Sequence, residues 1–249
     1  VPFAVPLLAF ALAALGERRW RAAVLWTLPL LAVKEDMGLT VAAVGAVLLL
    51  HRQRARGAVL IAAGAAGLLL AVGVVIPALN PSGSYPYWNR VGGDREGLLS
   101  LVLNLPAGFV EHPEKLTLLL SLGALTAFAA LRSPLLLVIA PTLLYRFVSA
   151  DEHYWSTGAV HYNAILMPVV FAALLDALPR WQESPRPLFR RYARAVVPAT
   201  LLYALLSFPL YSIWSTATHL DSDRVRTRAA AARRVLPLVP DGVRIAASN

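Results

Sequence analysis

Three consecutive charges, Lys34-Glu35-Asp36, separate two apolar runs, Ala22–Val33 and Met37–Leu50. A lysine in that setting is a compact point charge suited to a lipid phosphate. A carboxylate beside it suits a general base or a ligand for a divalent cation. The same charges would also serve simply to keep a short helix hairpin from sinking into a bilayer. A second group is Asp151-Glu152-His153-Tyr154-Trp155, followed by His161-Tyr162. Its histidines and carboxylates suit proton relay or metal binding. No metal-ligand spacing such as His-Glu-x-x-His occurs, which argues against a metal centre, and Tyr154, Trp155 and Tyr162 fit an interfacial aromatic belt equally well. Tyr85-Pro86-Tyr87-Trp88-Asn89-Arg90 with Asp94 interleaves aromatics and polar groups as sugar or headgroup contacts do, although Trp and Tyr at a membrane interface are the commoner explanation. Glu111-His112-Pro113-Glu114-Lys115 reads best as a loop capping the start of a helix.

The elements that must position these residues follow from the lengths of the apolar runs. A bilayer span needs roughly 20 residues and at least about 17. The runs on either side of Lys34 are each too short, and joined they would bring three charges to mid-bilayer, at roughly 2.5–3.5 kcal/mol each. The economical arrangement is a hairpin of two short helices with Lys34-Glu35-Asp36 at its tip. Before it lies Val1–Leu15, and after it Gly57–Leu79, the cleanest full-length span. A polar stretch over Asn80–Glu96 and a short, interrupted run at Leu98–Val110 follow. Then come Leu116–Leu131, Leu135–Val148, Asn163–Leu178, a basic loop at Pro179–Arg194, and Ala195–Trp214. The expected fold is all-α and polytopic, with about eight membrane-inserted helices. Residues 1–214 form the transmembrane domain and 215–249 begin a soluble segment, helical over Asp221–Leu236. A turn at Pro240-Asp241-Gly242 leads to a strand-like end, and the chain opens inside an apolar run; both suggest a piece of a longer protein, truncated at each end.

Composition agrees with the membrane class. The chain is 58% hydrophobic and only 15% charged, against about 25% charged in a soluble domain. Its net charge of +9 does not point to nucleic acid, because the arginines fall in short loops between apolar runs. Arg18, Arg19, Arg21, Arg52, Arg54, Arg56, Arg132 and those of Pro179–Arg194 share one side, which the positive-inside rule makes cytoplasmic. Loops 80–115 and 149–162, the Lys34 tip and the C-terminal tail then face outward from a cell membrane. Without cysteine there is no disulfide, thiolate metal site or cysteine nucleophile. No P-loop, dinucleotide-binding glycine motif or nucleophile elbow is present, so nothing supports the nucleotide or serine-hydrolase chemistry they mark.

The run LLAVKEDMGLTVAAVGAVLLLHRQRARGA, preceded by VPLLAFALAALGERRWRAA, resembles the bacterial multi-pass proteins of domain-of-unknown-function family 2079. The segments EHYW…VHYNAILMPVVFAAL and VPDGVRIAASN are similar to that family's central and tail regions. Those proteins in turn resemble the GT-C glycosyltransferases, polytopic enzymes that move a sugar from a polyprenyl-phosphate carrier on the outer face of the membrane. The resemblance implies a bacterial inner-membrane enzyme whose partners are the bilayer and a polyprenyl-phosphate lipid. It also implies a lipid-phosphate contact at Lys34. Glu152, His153, His161 and Tyr162 are the pocket candidates. The catalytic carboxylate is expected upstream of Val1, with Glu35 and Asp36 as weaker candidates. A divalent cation is an open option. The competing readings are a multi-pass transporter or lipid flippase, whose broken helices and intramembrane charges would look similar, and a non-catalytic membrane scaffold. The absence of internal repeats weighs against the transporter.

Overall fold

The structure is a computed structural model; it describes residues 2–85, 111–149, 154–155, 160–211 and 223–238, apart from the side chains of 160–161, 208–211 and 223–225. Among the described residues every regular element is helical. The chain divides into a unit spanning Val1–Tyr203 and a second spanning Ala204–Asn249.

In the first unit, α1 (Ala4–Gly16) turns through Arg18, at φ 57°, into α2 (Trp20–Thr27). Pro29 has no N–H to continue the α-helical ladder, so α2 tightens into a 3₁₀ segment, Leu28–Ala32. Lys34, Glu35 and Asp36 form successive turns, their carbonyls accepting from Met37, Gly38 and Leu39 at 3.1, 3.4 and 3.1 Å. α3 (Met37–Leu50) then runs back. The expected hairpin of short helices with a charged tip is what the chain forms.

α3 and α4 (Arg54–Leu79) pack antiparallel in backbone contact. A Cβ at Gly38 would lie 2.6 Å from the Gly64 carbonyl oxygen, and one at Gly45 would lie 2.7 Å from that of Gly57. Such close approach is how helices associate when hydrocarbon surrounds them. α4 includes a π turn at Ala71–Val75 and is 26 residues long, about 39 Å, enough to cross a hydrocarbon core of about 30 Å. Only 11% of its most apolar stretch is buried, so it is not a core helix. It is the one helix among the described residues long and apolar enough to cross a membrane. α1, Trp20–Ala32 and α3 are apolar but shorter.

The next segments depart from the expected straight runs. Leu116–Leu131 is broken after α5 (Pro113–Leu125), where Ala127 and Phe128 take left-handed φ of 47° and 63°, and Ala129–Arg132 is 3₁₀. Leu135–Val148 splits into a 3₁₀ segment, Pro134–Val138, and α6 (Ala140–Val148), because Pro141 cannot donate back to the preceding turn. After the short α7 (Val160–Asn163), α8 (Leu166–Gln182) runs straight through Pro179. The basic loop expected over Pro179–Arg194 is therefore much shorter: α9 (Pro187–Tyr211) begins within it and carries Arg190, Arg191 and Arg194. Proline suits the first turn of a helix, where its missing N–H has no acceptor to lose. The core gathers Leu8 and Leu12 of α1, Val41, Val44 and Leu48 of α3, and Leu166 and Val169 of α8.

In the second unit, α10 (Asp223–Val235) ends on Arg233 and Arg234 and continues as the 3₁₀ turn Leu236–Leu238; its side chains from Arg226 onward are exposed. This matches the helix expected over Asp221–Leu236. The strand-like end beyond Pro240 lies outside the described residues, as do Leu98–Val110, most of the Tyr85–Asp94 group and Asp151-Glu152-His153.

Candidate functional site

Four segments converge on a polar pocket in the first unit. The hairpin tip contributes Lys34 and Asp36, α6 contributes Thr142, Tyr145 and Arg146, Tyr154 follows α6, and Tyr162 comes from α7; apolar Ala4, Val33, Met37 and Ile165 fill the remaining wall. The cavity measures about 30 Å³, room for one or two waters.

At the tip, Lys34 Nζ lies 3.0 Å from Asp36 Oδ2 and 5.7 Å from the centre of the Tyr162 ring. Tyr162, predicted from sequence as a pocket residue, is thus brought to Lys34. Glu35 points elsewhere: the Tyr85 hydroxyl donates to its Oε1 at 3.3 Å. Burial and the neighbouring Glu35 carboxylate both push the Tyr85 phenol well above its ordinary range, so it remains a donor. Glu152 and His153 lie outside the described residues, and His161 is described only as part of the α7 backbone. No group of three His, Asp or Glu side chains gathers among the described residues.

The largest contribution that sequence reasoning missed is Arg146. Its side chain is 2% exposed, with Nε donating to the Tyr154 carbonyl and Nη2 donating to Asn163 Oδ1 at 2.7 Å. Within the sequence it is a single arginine at the end of the apolar run Leu135–Val148. The usable signal was its company: Thr142, Tyr145, Arg146 and Ser149 recur at i, i+3, i+4 and i+7, a polar stripe on an otherwise apolar helix. Aromatic rings complete the rim, with Tyr154 4.9 Å from Tyr162 and 6.2 Å from Tyr145. Beside them, Trp155 donates to the Ser149 carbonyl at 3.1 Å and lies tilted against His112 at 5.0 Å, while Lys115 Nζ lies 5.1 Å over its ring. His112 takes the N-cap position of α5 without a side-chain hydrogen bond, and Lys115 lies in that helix's first turn.

A second cavity, of about 370 Å³, is lined almost wholly by hydrocarbon from α5, α6 and the segments between them. Ile139, Ala140 and Leu143 face it, whereas Thr142, Tyr145 and Arg146 face the polar pocket. Polar pocket and apolar groove thus lie on adjacent faces of α6. Chemically, the arrangement offers two cations and three tyrosines to an anion, next to a greasy trough.

No curated protein and no solved structure matches the chain. Residues 1–249 match the family described as "Predicted membrane protein (DUF2079)" over their whole length, and the chain belongs to that family.

Proposed function

We propose that the protein is a GT-C-type glycosyltransferase of the bacterial inner membrane, taking a sugar from a polyprenyl-phosphate donor and passing it to an acceptor on the outer face. The observation that carries this reading is Lys34 in a pocket with a second cation, Arg146, beside an apolar groove that shares α6 as its wall. An amphipathic donor needs that pairing: cations for the phosphate and a hydrocarbon surface for the isoprenoid chain. A scaffold would have no use for it.

In this mechanism a base removes the acceptor's hydroxyl proton. The acceptor oxygen bonds to the anomeric carbon while the carbon–oxygen bond to the phosphate breaks, and the phosphate leaves with the electron pair. Lys34 offsets the charge that develops on the leaving phosphate. Asp36 is paired to Lys34 and Glu35 accepts from Tyr85, so the reading gives both carboxylates positioning roles rather than that of base.

The test is binding of a polyprenyl phosphate to the full-length protein in lipid nanodiscs, with and without Lys34→Ala. The expected result is at least tenfold weaker binding, about 1.4 kcal/mol, in the variant. Equal affinity with the fold intact would remove Lys34 from the donor site and turn attention to transport.

A further inference from the structure

Among the described residues, two buried polar atoms of the pocket have no hydrogen-bond partner: Arg146 Nη1 and Asp36 Oδ1. Each belongs to a group whose other atoms are engaged. Arg146 is tied by Nε to the Tyr154 carbonyl and by Nη2 to Asn163, and Asp36 Oδ2 accepts from Lys34. Both groups line the same cavity, and the Asp36 carboxylate acts electrostatically on Arg146. A direct bond between them would satisfy both atoms at once, yet the two side chains do not form one. Leaving a buried polar atom unpaired forfeits its hydration without replacement, most of all for a charged group, so natural proteins seldom do it without a use.

The two cations differ in freedom. Arg146 is anchored at two of its three nitrogens and 2% exposed, so its remaining donor has a preset direction. Lys34 has a flexible stem and is 32% exposed. Against these two positive charges the pocket holds one carboxylate among the described residues, Asp36, because Glu35 is turned to Tyr85.

We propose that the pocket is a phosphate-oxyanion site in which Arg146 Nη1 is the fixed donor, and that Asp36 is a resident anion which the incoming phosphate displaces from Lys34. The pair as found closes the site: the cavity admits a water or two, and Lys34 must leave Asp36 for a phosphate group to enter. Arg146 then meets one phosphate oxygen with a charge-assisted bond and Lys34 meets another. Asp36 therefore weakens ligand binding, while holding Lys34 in place when the site is empty. The inference rests on the donor-site reading above and extends it to Arg146 and Asp36. The recognised chemistry is a phosphate monoanion or dianion, which a lipid headgroup and free phosphate share.

The experiment measures dissociation constants of farnesyl phosphate and of inorganic phosphate by titration calorimetry on the full-length protein in nanodiscs. Wild type, Lys34→Ala, Arg146→Lys and Asp36→Asn are compared, with melting temperatures recorded for each. Expected are a loss of tenfold or more in farnesyl phosphate affinity for Arg146→Lys, which keeps the charge but loses the anchored donor, and a gain of at least fivefold for Asp36→Asn. A gain is an outcome that damage to the fold does not produce. Unchanged or weaker binding in Asp36→Asn overturns the displacement, and unchanged binding in Arg146→Lys overturns the fixed donor. If only Lys34→Ala weakens binding, the inference falls and the donor-site reading stands. If inorganic phosphate follows the expected pattern while farnesyl phosphate does not bind, the oxyanion site stands and the lipid donor falls. Binding of neither ligand to the wild type overturns both.

Discussion

Two charged clusters, one at the Lys34 tip and one near the C-terminal end of α8, are built to opposite standards. Near the C-terminal end of α8, Arg180 Nη2 meets both Asp176 oxygens at 2.9 and 2.8 Å, Ser133 Oγ donates to the same carboxylate at 2.7 Å, and Arg180 Nη1 donates to the Arg132 carbonyl at 3.1 Å. Arg132 itself lies 4.6 Å over the Trp181 ring, whose Nε1 donates to the Ala129 carbonyl at 3.0 Å. Every charge there has an answering group. Around Lys34, Asp36 and Arg146 one oxygen and one nitrogen are left over. A carboxylate held by one arginine nitrogen and a hydroxyl is a rivet; a carboxylate with a spare oxygen beside a cation with a spare donor has room for a further partner. On the reading proposed above, the difference separates structural from functional charge without any appeal to position in the membrane.

That contrast can be broken at its scaffold, at either cluster, or at the edge of the pocket. The largest effect is expected from Gly64→Leu. The added Cβ would lie 2.4 Å from the Gly38 carbonyl oxygen, directly under the tip that carries Lys34. Overpacking of this kind costs about 1–3 kcal/mol, and forcing two backbones apart belongs at the top of that range. A thermal shift in detergent should show the loss, together with failure of phosphate-lipid binding, whereas a variant that melts like wild type would deny that backbone contact sets the hairpin. Next, Asp176→Ala should cost about 1–2 kcal/mol, because it strands Ser133 and Arg180; the figure is modest since Arg180 is 41% exposed. Phosphate-lipid binding should be untouched, and a binding defect equal to that of Lys34→Ala would erase the distinction between the clusters. Third, replacing Lys34 and Asp36 together, Lys34→Met with Asp36→Leu, should leave the melting temperature unchanged or raise it, since an imperfectly satisfied ion pair gives way to apolar side chains at little cost. Binding should vanish in the same variant. A clear fall in melting temperature would mean that the tip pair is as structural as its counterpart on α8.

The hairpin was readable because its signal is local: three charges between two runs too short to span. The same holds for α4 and for the helix that became α10. The breaks at Ala127-Phe128 and before Pro141 were not read, because apolar composition hides a turn that tertiary packing stabilises. Pro179 misled in the other direction, since a proline one turn from a helix end only marks a boundary on average. Half of the pocket was visible in Lys34, Asp36 and Tyr162. Arg146 was invisible as a partner because its contact with the tip spans more than a hundred residues of sequence, and spacing within one segment carries no information about that distance. The pairing of Ser133 with Asp176 was hidden for the same reason.

The smallest expected effect lies where the pocket meets its surroundings, at the Tyr85–Glu35 bond. Tyr85→Phe keeps the ring, 8% exposed, and removes only the hydroxyl that reaches Glu35 at 3.3 Å. A bond of that length to a carboxylate is worth about 0.5–1.5 kcal/mol. Its pH signature is more telling than its size. Burial, then Glu35, raise the folded-state pKa of Tyr85, so the folded protein holds the phenolic proton more tightly than the unfolded chain, whose tyrosine titrates near about 10. Stability from this group is therefore fully present below pH of about 10 and falls as pH rises above it, when the unfolded chain releases the proton and the folded one keeps it. The difference in melting temperature between wild type and Tyr85→Phe should be steady from pH 7 to 9 and shrink or reverse by pH 11. A difference that grows with alkalinity would mean that Tyr85 faces a cation rather than Glu35. The tip would then need redrawing with Glu35 free to turn into the pocket, which would add a second carboxylate against Lys34 and Arg146 and cancel the net positive charge on which phosphate binding depends.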